Sequence, residues 1–489
     1  MAVALSRHAS SAADDSVGSG GEPPLRSLIR REPLVFSPDA SLRDTLFGLN
    51  QAGVQAGVVA EEPDKPLGIV TLRDLVDAIT LRGASLSDPA YIFMTAAPVT
   101  LPIDAPIHRA RVAIARERLS HLVLVDTDGH LFNLISPADL PGFREGGALD
   151  LIERIDLANN VDSMARVADA VRRRGGELFA EGMGVAALSQ WMSALNDLIS
   201  MRVIEFVANE FDLPPVSWCW MVFGSEGRLE QTFATDQDNG LIFLPDNEED
   251  TSEVRQLLLP FTRAVNRALD ICGFSLCRGN IMAGNPAWCL STTEWRDRFQ
   301  NWMATPDPKA LLHAAIFFDF RPLYGQDELV DELHGWLLPQ PARYPRFLHA
   351  MSAEALTCSP ALGWFGSLAY DRGHRYRRTI DLKKRGARPF IDAARIWTLK
   401  FGIWATNTAQ RLRAIGPELG RARPDTAASV EAFEWIQRIR MQRQLAGGER
   451  DRINRVDPSE LNHLQRLMLK EAFKQAGLLQ LRLRQEFGH

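Results

Sequence analysis

Trp218 to Phe223 is an unbroken apolar run of strand length that stops at Gly224-Ser225. Such a run reads as a buried strand ending in a tight turn. The following residues are mostly polar for about three helical turns, which predicts a helix with Ser225 at its N-cap and Glu226 and Arg228 in its first turn. Asp236 and Asp238 then open a second apolar run, Leu241 to Leu244. Alternation along a strand sends both carboxylates to one face and Gln237 and Asn239 to the other.

Upstream, from Ile29 to about Phe143, the pattern repeats itself. The first copy holds a helix to Gln51, a strand at Gly57 to Ala60, a turn through Pro63 to Pro66, the strand Leu67 to Thr71 and a helix from Asp74. The second holds a helix to Arg118, the strand His121 to Val125, the turn Thr127-Asp128-Gly129, the strand Leu131 to Ser136, then Asp139. Repetition at about 65 residues means two copies of one unit sharing a core. Residues 147 to 211 have helical period, and Gly175-Gly176 and Gly182 to Gly184 predict breaks that fold them into a hairpin. A helix is expected from Glu253 to Ile271 and a strand within Phe274 to Trp288. Beyond Ala350 the pattern predicts helices at Leu362 to Tyr370, Phe390 to Thr406, Val430 to Gln444 and Pro458 to Phe487. Residues 1 to 24 are too poor in apolar side chains to order, and disorder is expected there.

At 489 residues the chain exceeds what one core supports, so about three domains are expected. A net charge of −6 argues against a general nucleic-acid surface. Five cysteines with no paired spacing point to a reducing compartment, and no run approaches the ~18 apolar residues of a membrane helix. With no apolar leader at the N-terminus, the cytoplasm is the expected location.

Backbone amides and a hydroxyl at a Gly-Ser turn suit phosphate, and two neighbouring carboxylates suit Mg²⁺ with phosphate oxygens completing its shell. Phe223 excludes the Gly-x-Ser-x-Gly elbow of a serine hydrolase, and no Gly-Lys-Ser/Thr of a P-loop follows. Gly224, Ser225 and Arg228 are therefore the candidate nucleotide-binding residues, with Asp236 and Asp238 as catalytic metal ligands. Residues 371–388 carry eight Lys or Arg against two Asp. They read either as a solvated charged face or as cations for the β- and γ-phosphates or an acidic protein substrate. Tyr376 is their one aromatic apart from the flanks, which speaks against nucleic acid.

Gly224-Ser225, ten residues, then Asp236-x-Asp238 resembles the signature of the DNA polymerase β nucleotidyltransferase superfamily. The longer string from Gly224 to Leu241 resembles a nucleotidyltransferase domain found behind paired CBS domains in bacterial signalling proteins, related to the protein-PII uridylyltransferase and the adenylyltransferase of nitrogen regulation. The repeat from Ile29 resembles a CBS pair. This implies an α+β multidomain chain with a tandem CBS pair over 25–145, a helical connector over 146–214, a polymerase-β-like domain with a mixed sheet over 215–340, and an all-α substrate-binding domain over 341–489.

It further implies Mg²⁺-dependent transfer of a nucleoside monophosphate from a nucleoside triphosphate to a protein or small-molecule acceptor, in a homodimer formed through the CBS pair. In CBS domains the Gly-Ile-Val-Thr-x-x-Asp segment contacts adenosine ligands. Thr71 and Asp74 occupy those places, and Ser136 and Asp139 correspond in the second copy, where Asn133 replaces the glycine and Pro137 follows Ser136. Superfamily members bring a third acid from the strand after the helix, but Asn280 stands there. Either two carboxylates suffice, or Asp319 completes the site, or the transferase domain has lost turnover and the chain is a CBS-based nucleotide sensor. The bland alternative for Asp319 is a neighbour pair with Arg321.

Overall fold

The computed structural model describes residues 24–29, 31–61, 65–105, 107, 109–110, 113–114, 119–140, 148–363, 367–371, 378–449 and 452–489. The expected disorder at 1–23, the end of the second-copy helix at 115–118 and the basic stretch 372–377 lie outside them. The described residues divide into two compact units, separated at Leu149/Asp150.

In the first unit, strands β1 (Val35–Phe36), β2 (Ala56–Ala60), β3 (Pro66–Thr71) and β4 (Thr95–Ala96) form one sheet in that order. Strands β5 (Thr100–Pro102), β6 (Leu122–Val125) and β7 (Leu131–Ile135) form a second. Both contain a parallel pair followed by an antiparallel one, β1 with β2 then β2 with β3, and β5 with β6 then β6 with β7. The repetition visible in the sequence is thus a repeated fold. Helices α1 (Leu42–Ala52) and α2 (Leu72–Thr80) cover the first sheet around Phe36, Leu42, Leu49, Val59, Val70 and Leu75. Ala56 and Ile69 of the first copy bury against Val123 and Val125 of the second, so the copies share a small core of their own.

The division falls within the first turn of α3 (Ala148–Leu157), and the second unit continues with α4 (Val161–Ala180) and α5 (Val185–Ala208). Helix α4 runs unbroken through Gly175-Gly176, contrary to the expected break. An added methyl at Gly175 would lie 3.2 Å from Phe233 and 3.4 Å from Trp191, and at Gly176 3.2 Å from Leu445, so these glycines allow close packing rather than a turn. The turn comes at Gly182 to Gly184, as expected. Helix α5 is apolar nearly all round and buried along most of its length, which places it inside this unit.

The central sheet contains β8 (Ser217–Val222), β9 (Asn239–Leu244), β10 (Cys289–Ser291) and β11 (Arg321–Gly325) in the order β10-β9-β8-β11. It is mixed: β10 is parallel to β9, while β8 is antiparallel to both β9 and β11. One face, with Cys219, Met221 and Phe223, packs on α7 (Thr292–Ala304) and α8 (Pro308–Phe317), where Phe223, Trp288, Trp295, Phe299 and Phe317 form one aromatic cluster, while Trp218 meets Phe261 of α6 (Thr251–Ile271).

The remainder is helical: α9 (Asp327–Leu337), α10 (Pro345–Thr357), α11 (Arg388–Phe401), α12 (Thr408–Glu418), α13 (Arg423–Leu445) and α14 (His463–Phe487). The expected helix at Leu362 to Tyr370 is absent among the described residues, where Leu362 and Leu368 instead form an isolated bridge. Helix α11 ends at Gly402, which takes the left-handed conformation at φ 63°, short of the expected Thr406. A two-residue ladder, β12 (Ile380–Asp381) with β13 (Arg455–Val456), precedes a π-helical turn at Lys383–Ala387.

Candidate active site

The strand β8 ends as its apolar run requires, but it leads into a single helical turn, Gly224–Gly227, rather than three. Phe223 takes the N-cap place, and Ser225 lies one residue inside the helix. One turn is too short to sum much of a dipole, so any anion affinity here rests on the unpaired first-turn amides and the Ser225 hydroxyl. Gly224 has φ +57°, where a side chain would be strained. A methyl there would also come 3.0 Å from the Asp238 carboxylate, so the turn and the acid are in direct contact. The Phe223 amide donates to the Asp238 carbonyl at 2.8 Å and ties the two segments together.

Asp236 bridges in parallel to Ser275, and Asp238 immediately precedes β9. Between and beyond them, Gln237 and Asn239 point the other way. The Gln237 amide donates to the carbonyls of Asn266 (2.9 Å) and Phe274 (2.7 Å), while the Asn266 amide donates to Gln237 and Asn239, each at 2.9 Å. This buried amide cluster holds Gln237 and Asn239 inward, on either side of Asp238, whose carboxylate lies against Gly224. Burial pushes the Asp238 carboxyl up to about 6, and Asp236 adds to that; the Cys277 thiol, Lys383 and Arg228 act in the opposite direction. Cys277 is itself pushed up to about 11, by burial and by Asp238, so it remains a neutral thiol. A hard oxygen pair that burial and mutual repulsion leave short of positive charge fits a divalent cation such as Mg²⁺.

Arg228 does not reach toward this pair. Its Nε donates to Glu230 at 2.8 Å and its Nη1 to Asp319 at 2.7 Å. Asp319 is fully buried and also accepts from Arg395 (3.0 and 2.6 Å) and Arg411 (2.6 Å). Burial alone would push its carboxyl up, but Arg395, Arg411 and Arg228 hold it far below the ordinary carboxylate range. Asp319 is therefore not available as a third metal ligand, and it does not pair with Arg321. Arg321 instead donates to Asp197 at 2.7 Å and to the Glu226 carbonyl at 3.2 and 3.1 Å. Asn280 is not in a strand. It sits in a turn at φ 54° with its carbonyl accepting from Asn285 and Trp288, and the third strand comes later, at β10, with no acid.

One carboxylate near the pair escaped the sequence reading. Glu226 is buried, and burial together with Asp197 pushes it up to about 8 against the pull of Arg321, with Asp238 adding to the rise. Its place beside Gly224 was visible in the sequence, but its burial was not.

In the basic segment Arg385 is structural, donating to the Ala369 carbonyl (2.8 Å) and to Asp371 (3.1 Å). In the first unit, Thr71 caps α2 in a reciprocal box. Its amide and hydroxyl donate to Asp74 at 2.8 and 2.7 Å, and the Asp74 amide donates back at 3.1 Å. Ser136 and Asp139 reproduce this at 2.8 Å for both bonds. Asn133, in place of the first copy's Gly68, donates to the Arg31 carbonyl at 2.7 Å. His121 is held below its ordinary value by burial, opposed by Asp139 and Asp74, so both aspartates act on one histidine.

Comparison with known proteins follows the same division. CBS domain models match residues 25–81 and 88–140. The model described as "Putative nucleotidyltransferase DUF294" matches 169–309, and that described as "Putative nucleotidyltransferase substrate binding domain" matches 345–487. Over 114 residues the chain is 25% identical to an uncharacterized protein of Methanopyrus kandleri, MK0525, and 36% identical to inosine-5'-monophosphate dehydrogenase of Thermoplasma acidophilum. The matches take in 23% of this chain, with 58% of the first relative and 22% of the second. Among solved structures, a CBS domain protein of Pyrobaculum aerophilum complexed with AMP is 25% identical, covering 27% of this chain and 98% of that one at TM-score 0.24. A CBS-domain protein of Agrobacterium tumefaciens is 26% identical, covering 25% and 99% at TM-score 0.23. The chain therefore carries a CBS pair, followed by a domain that matches the DUF294 nucleotidyltransferase model and a domain that matches the substrate-binding model of that group.

Proposed function

We propose that the second unit is a Mg²⁺-dependent nucleotidyltransferase of the polymerase β type, moving a nucleoside monophosphate to a protein or small-molecule hydroxyl. The observation that carries this reading is the closeness of the Gly224 turn to the Asp238 carboxylate, on which Asp236, two residues before it, acts as a second negative charge. Asp236 and Asp238 would hold Mg²⁺, which supplies neutralisation of phosphate charge. Gly224 leaves room for a phosphate, and Ser225 offers a hydroxyl donor to it. Arg228 anchors the turn to Asp319 and does not touch substrate. The acceptor oxygen bonds to the α-phosphorus, the bond from that phosphorus to the bridging oxygen breaks, and pyrophosphate leaves with the electron pair while the hydroxyl proton passes to water.

Purified chain with Mg²⁺ and labelled ATP, UTP, CTP or GTP should transfer label to itself or to a component of a cell lysate, and Asp236→Asn or Asp238→Asn should abolish the transfer. Folded protein that never transfers label refutes the reading. A second reading is favoured by Asn280 and the sealed Asp319: a nucleotide sensor or scaffold whose transferase domain has no turnover. Under both, the CBS pair binds an adenine nucleotide through Thr71, Asp74, Ser136 and Asp139 and forms a homodimer. Calorimetric titration of ATP and AMP separates them. Loss of all binding in Asp74→Ala with none in Asp238→Asn favours the sensor, and Mg²⁺-dependent binding lost in Asp238→Asn favours the enzyme.

A further inference from the structure

The Gly224–Gly227 turn is too short to hold itself, because a single turn of helix fixes several residues in return for few hydrogen bonds. The amides of Gly227 and Arg228 return to the Phe223 and Gly224 carbonyls, each at 3.0 Å. There the helix ends. With Leu229 at φ 55°, the Glu230 amide goes to the Ser225 carbonyl at 2.9 Å, and the Glu226 carbonyl takes the Leu229 amide at 3.1 Å. Arg321 then supplies what a further turn would have given, since its Nε and Nη2 donate to the Glu226 carbonyl at 3.2 and 3.1 Å. We infer that Arg321 and Asp197 are positioning residues for the proposed transfer: the guanidinium, oriented by Asp197, clamps the Glu226 carbonyl and keeps the turn in the conformation that offers Ser225 to a phosphate beside Asp238. This rests on the nucleotidyltransferase reading and names the residues that hold its phosphate-binding turn in place.

Both partners come from elements outside the signature. Arg321 opens β11 and lies opposite Val222, the last residue of β8, so the sheet register delivers its side chain to the turn that β8 leads into. Asp197 comes from the middle of α5, and its Oδ1 accepts from Arg321 Nη2 at 2.7 Å. The two side chains are only 7% and 8% exposed. In so dry a place the planar fork of a guanidinium fixes direction as well as charge, which an ammonium does not.

Asn196, the neighbour of Asp197, donates to the Gln231 side chain at 3.1 Å. Consecutive residues of α5 therefore hold both ends of the segment Glu226 to Gln231, one through Arg321 and one directly. Between these points Asn407 donates to the Arg228 carbonyl at 3.1 Å. On its other side the turn has no room to shift, because a methyl on Gly227 would lie 1.9 Å from the Asp319 carbonyl oxygen. Asn196 and Asn407 act beyond the turn, whereas Arg321 acts within it.

A pair that merely held the fold would act through stability, and a double variant separates the two roles. Replacing both partners of a buried ion pair by apolar residues of similar size is often neutral for stability. Asp197→Leu combined with Arg321→Met should therefore keep a urea midpoint close to that of the wild type while losing the clamp. Mg²⁺ with inorganic tripolyphosphate is titrated calorimetrically into the full chain, this double variant, Arg321→Lys and Asp238→Asn, and transfer from labelled ATP, UTP, CTP and GTP is followed in parallel. In the double variant tripolyphosphate affinity should fall about tenfold, as for one lost charge-assisted contact. Transfer should fall about a hundredfold, the usual result of misplacing a reacting group by about 1 Å. Arg321→Lys keeps a positive charge opposite Asp197, and the fold with it, but not two N–H groups on one carbonyl, so a smaller loss of both is expected there. Wild-type affinity and transfer in the double variant, or in Arg321→Lys where the double variant does not fold, overturns the inference, while weakened binding in Asp238→Asn leaves the nucleotidyltransferase reading in place. A wild type that neither binds tripolyphosphate nor transfers label overturns both.

Discussion

Asp319→Asn is the substitution whose cost follows most directly from the geometry. Asp319 is fully buried and accepts four charge-assisted hydrogen bonds from three guanidiniums, at 2.7, 3.0, 2.6 and 2.6 Å. Asparagine keeps the shape but replaces one acceptor oxygen with an amide nitrogen that faces N–H donors. Arg228 keeps Glu230 and Arg395 keeps Asp392, whereas Arg411 loses its anion and keeps neutral acceptors such as the Ala405 carbonyl. Burial already lowers the proton affinity of Arg411 with Asp319 present, so this guanidinium suffers most. Removing one partner of a buried pair costs about 3–5 kcal/mol, a large part of the ~5–15 kcal/mol that holds a domain together. The eleven tryptophans lie between residues 191 and 435, within the second unit, so urea unfolding followed by tryptophan fluorescence reports that unit alone. The midpoint should fall sharply in Asp319→Asn. Because the carboxyl is depressed in the folded state, its contribution is complete above the ordinary aspartate value near 3.9 and is lost as pH falls below it, so the variant should also show a flatter acid limb. A loss below about 1 kcal/mol, or an unchanged acid limb, would refute the account of Asp319 as the shared anion of these arginines.

Gly227→Ala should be poorly soluble or lose more than about 3 kcal/mol, since its methyl would lie 1.9 Å from the Asp319 carbonyl oxygen, a backbone atom that no rotamer change removes; an ordinary yield and urea midpoint would contradict this packing. Glu226 binds its proton more tightly folded than unfolded, up to about 8, so the second unit should lose stability as pH rises from the ordinary value of 4.5 through that range. Glu226→Gln should remove the slope and stabilise by on the order of 2–4 kcal/mol at pH 8 to 9, read from the same fluorescence midpoints. Thr71→Ala breaks the capping box of α2 and should cost the first unit about 1 kcal/mol, visible as faster amide hydrogen exchange across residues 72–80.

What the sequence made legible was local. The strand at β8 followed from consecutive apolar residues, and the common side taken by Gln237 and Asn239 followed from the two-residue period, because strand length and alternation are written locally. The CBS repeat was legible because each copy carries its own strand and cap residues, down to the Thr71-Asp74 and Ser136-Asp139 boxes. The helix after Gly224 was misjudged for the opposite reason. Its polar residues suit a solvated helix, but Leu229 is turned to φ 55° and the flanking Arg228 and Glu230 are held by Asp319 and Thr408, 91 and 178 residues away. Long-range ion pairs outweigh local propensity there, and nothing within the window announces them.

The same distinction separates the carboxylates. Asp236, Asp238, Glu226 and Asp319 look alike as letters, and only partners far along the chain give them different chemistry. Asp319 is neutralised by guanidiniums of α11 and α12 and becomes a structural anion. Glu226 is buried near Asp197 of α5 and is pushed toward its neutral form. Asp238 is left beside a glycine turn, where burial raises it and positive charge only partly compensates. Helices α11 and α12 and the π-turn therefore shape the electrostatics of this unit, since Arg395 and Arg411 hold Asp319 as a paired anion while Lys383 favours the anion of Asp238. A variant that unfolds or displaces the helical domain should thus change the proton affinity of Asp238 as well as substrate binding, which ties the electrostatics of the Asp-x-Asp pair to a domain that begins more than a hundred residues after it.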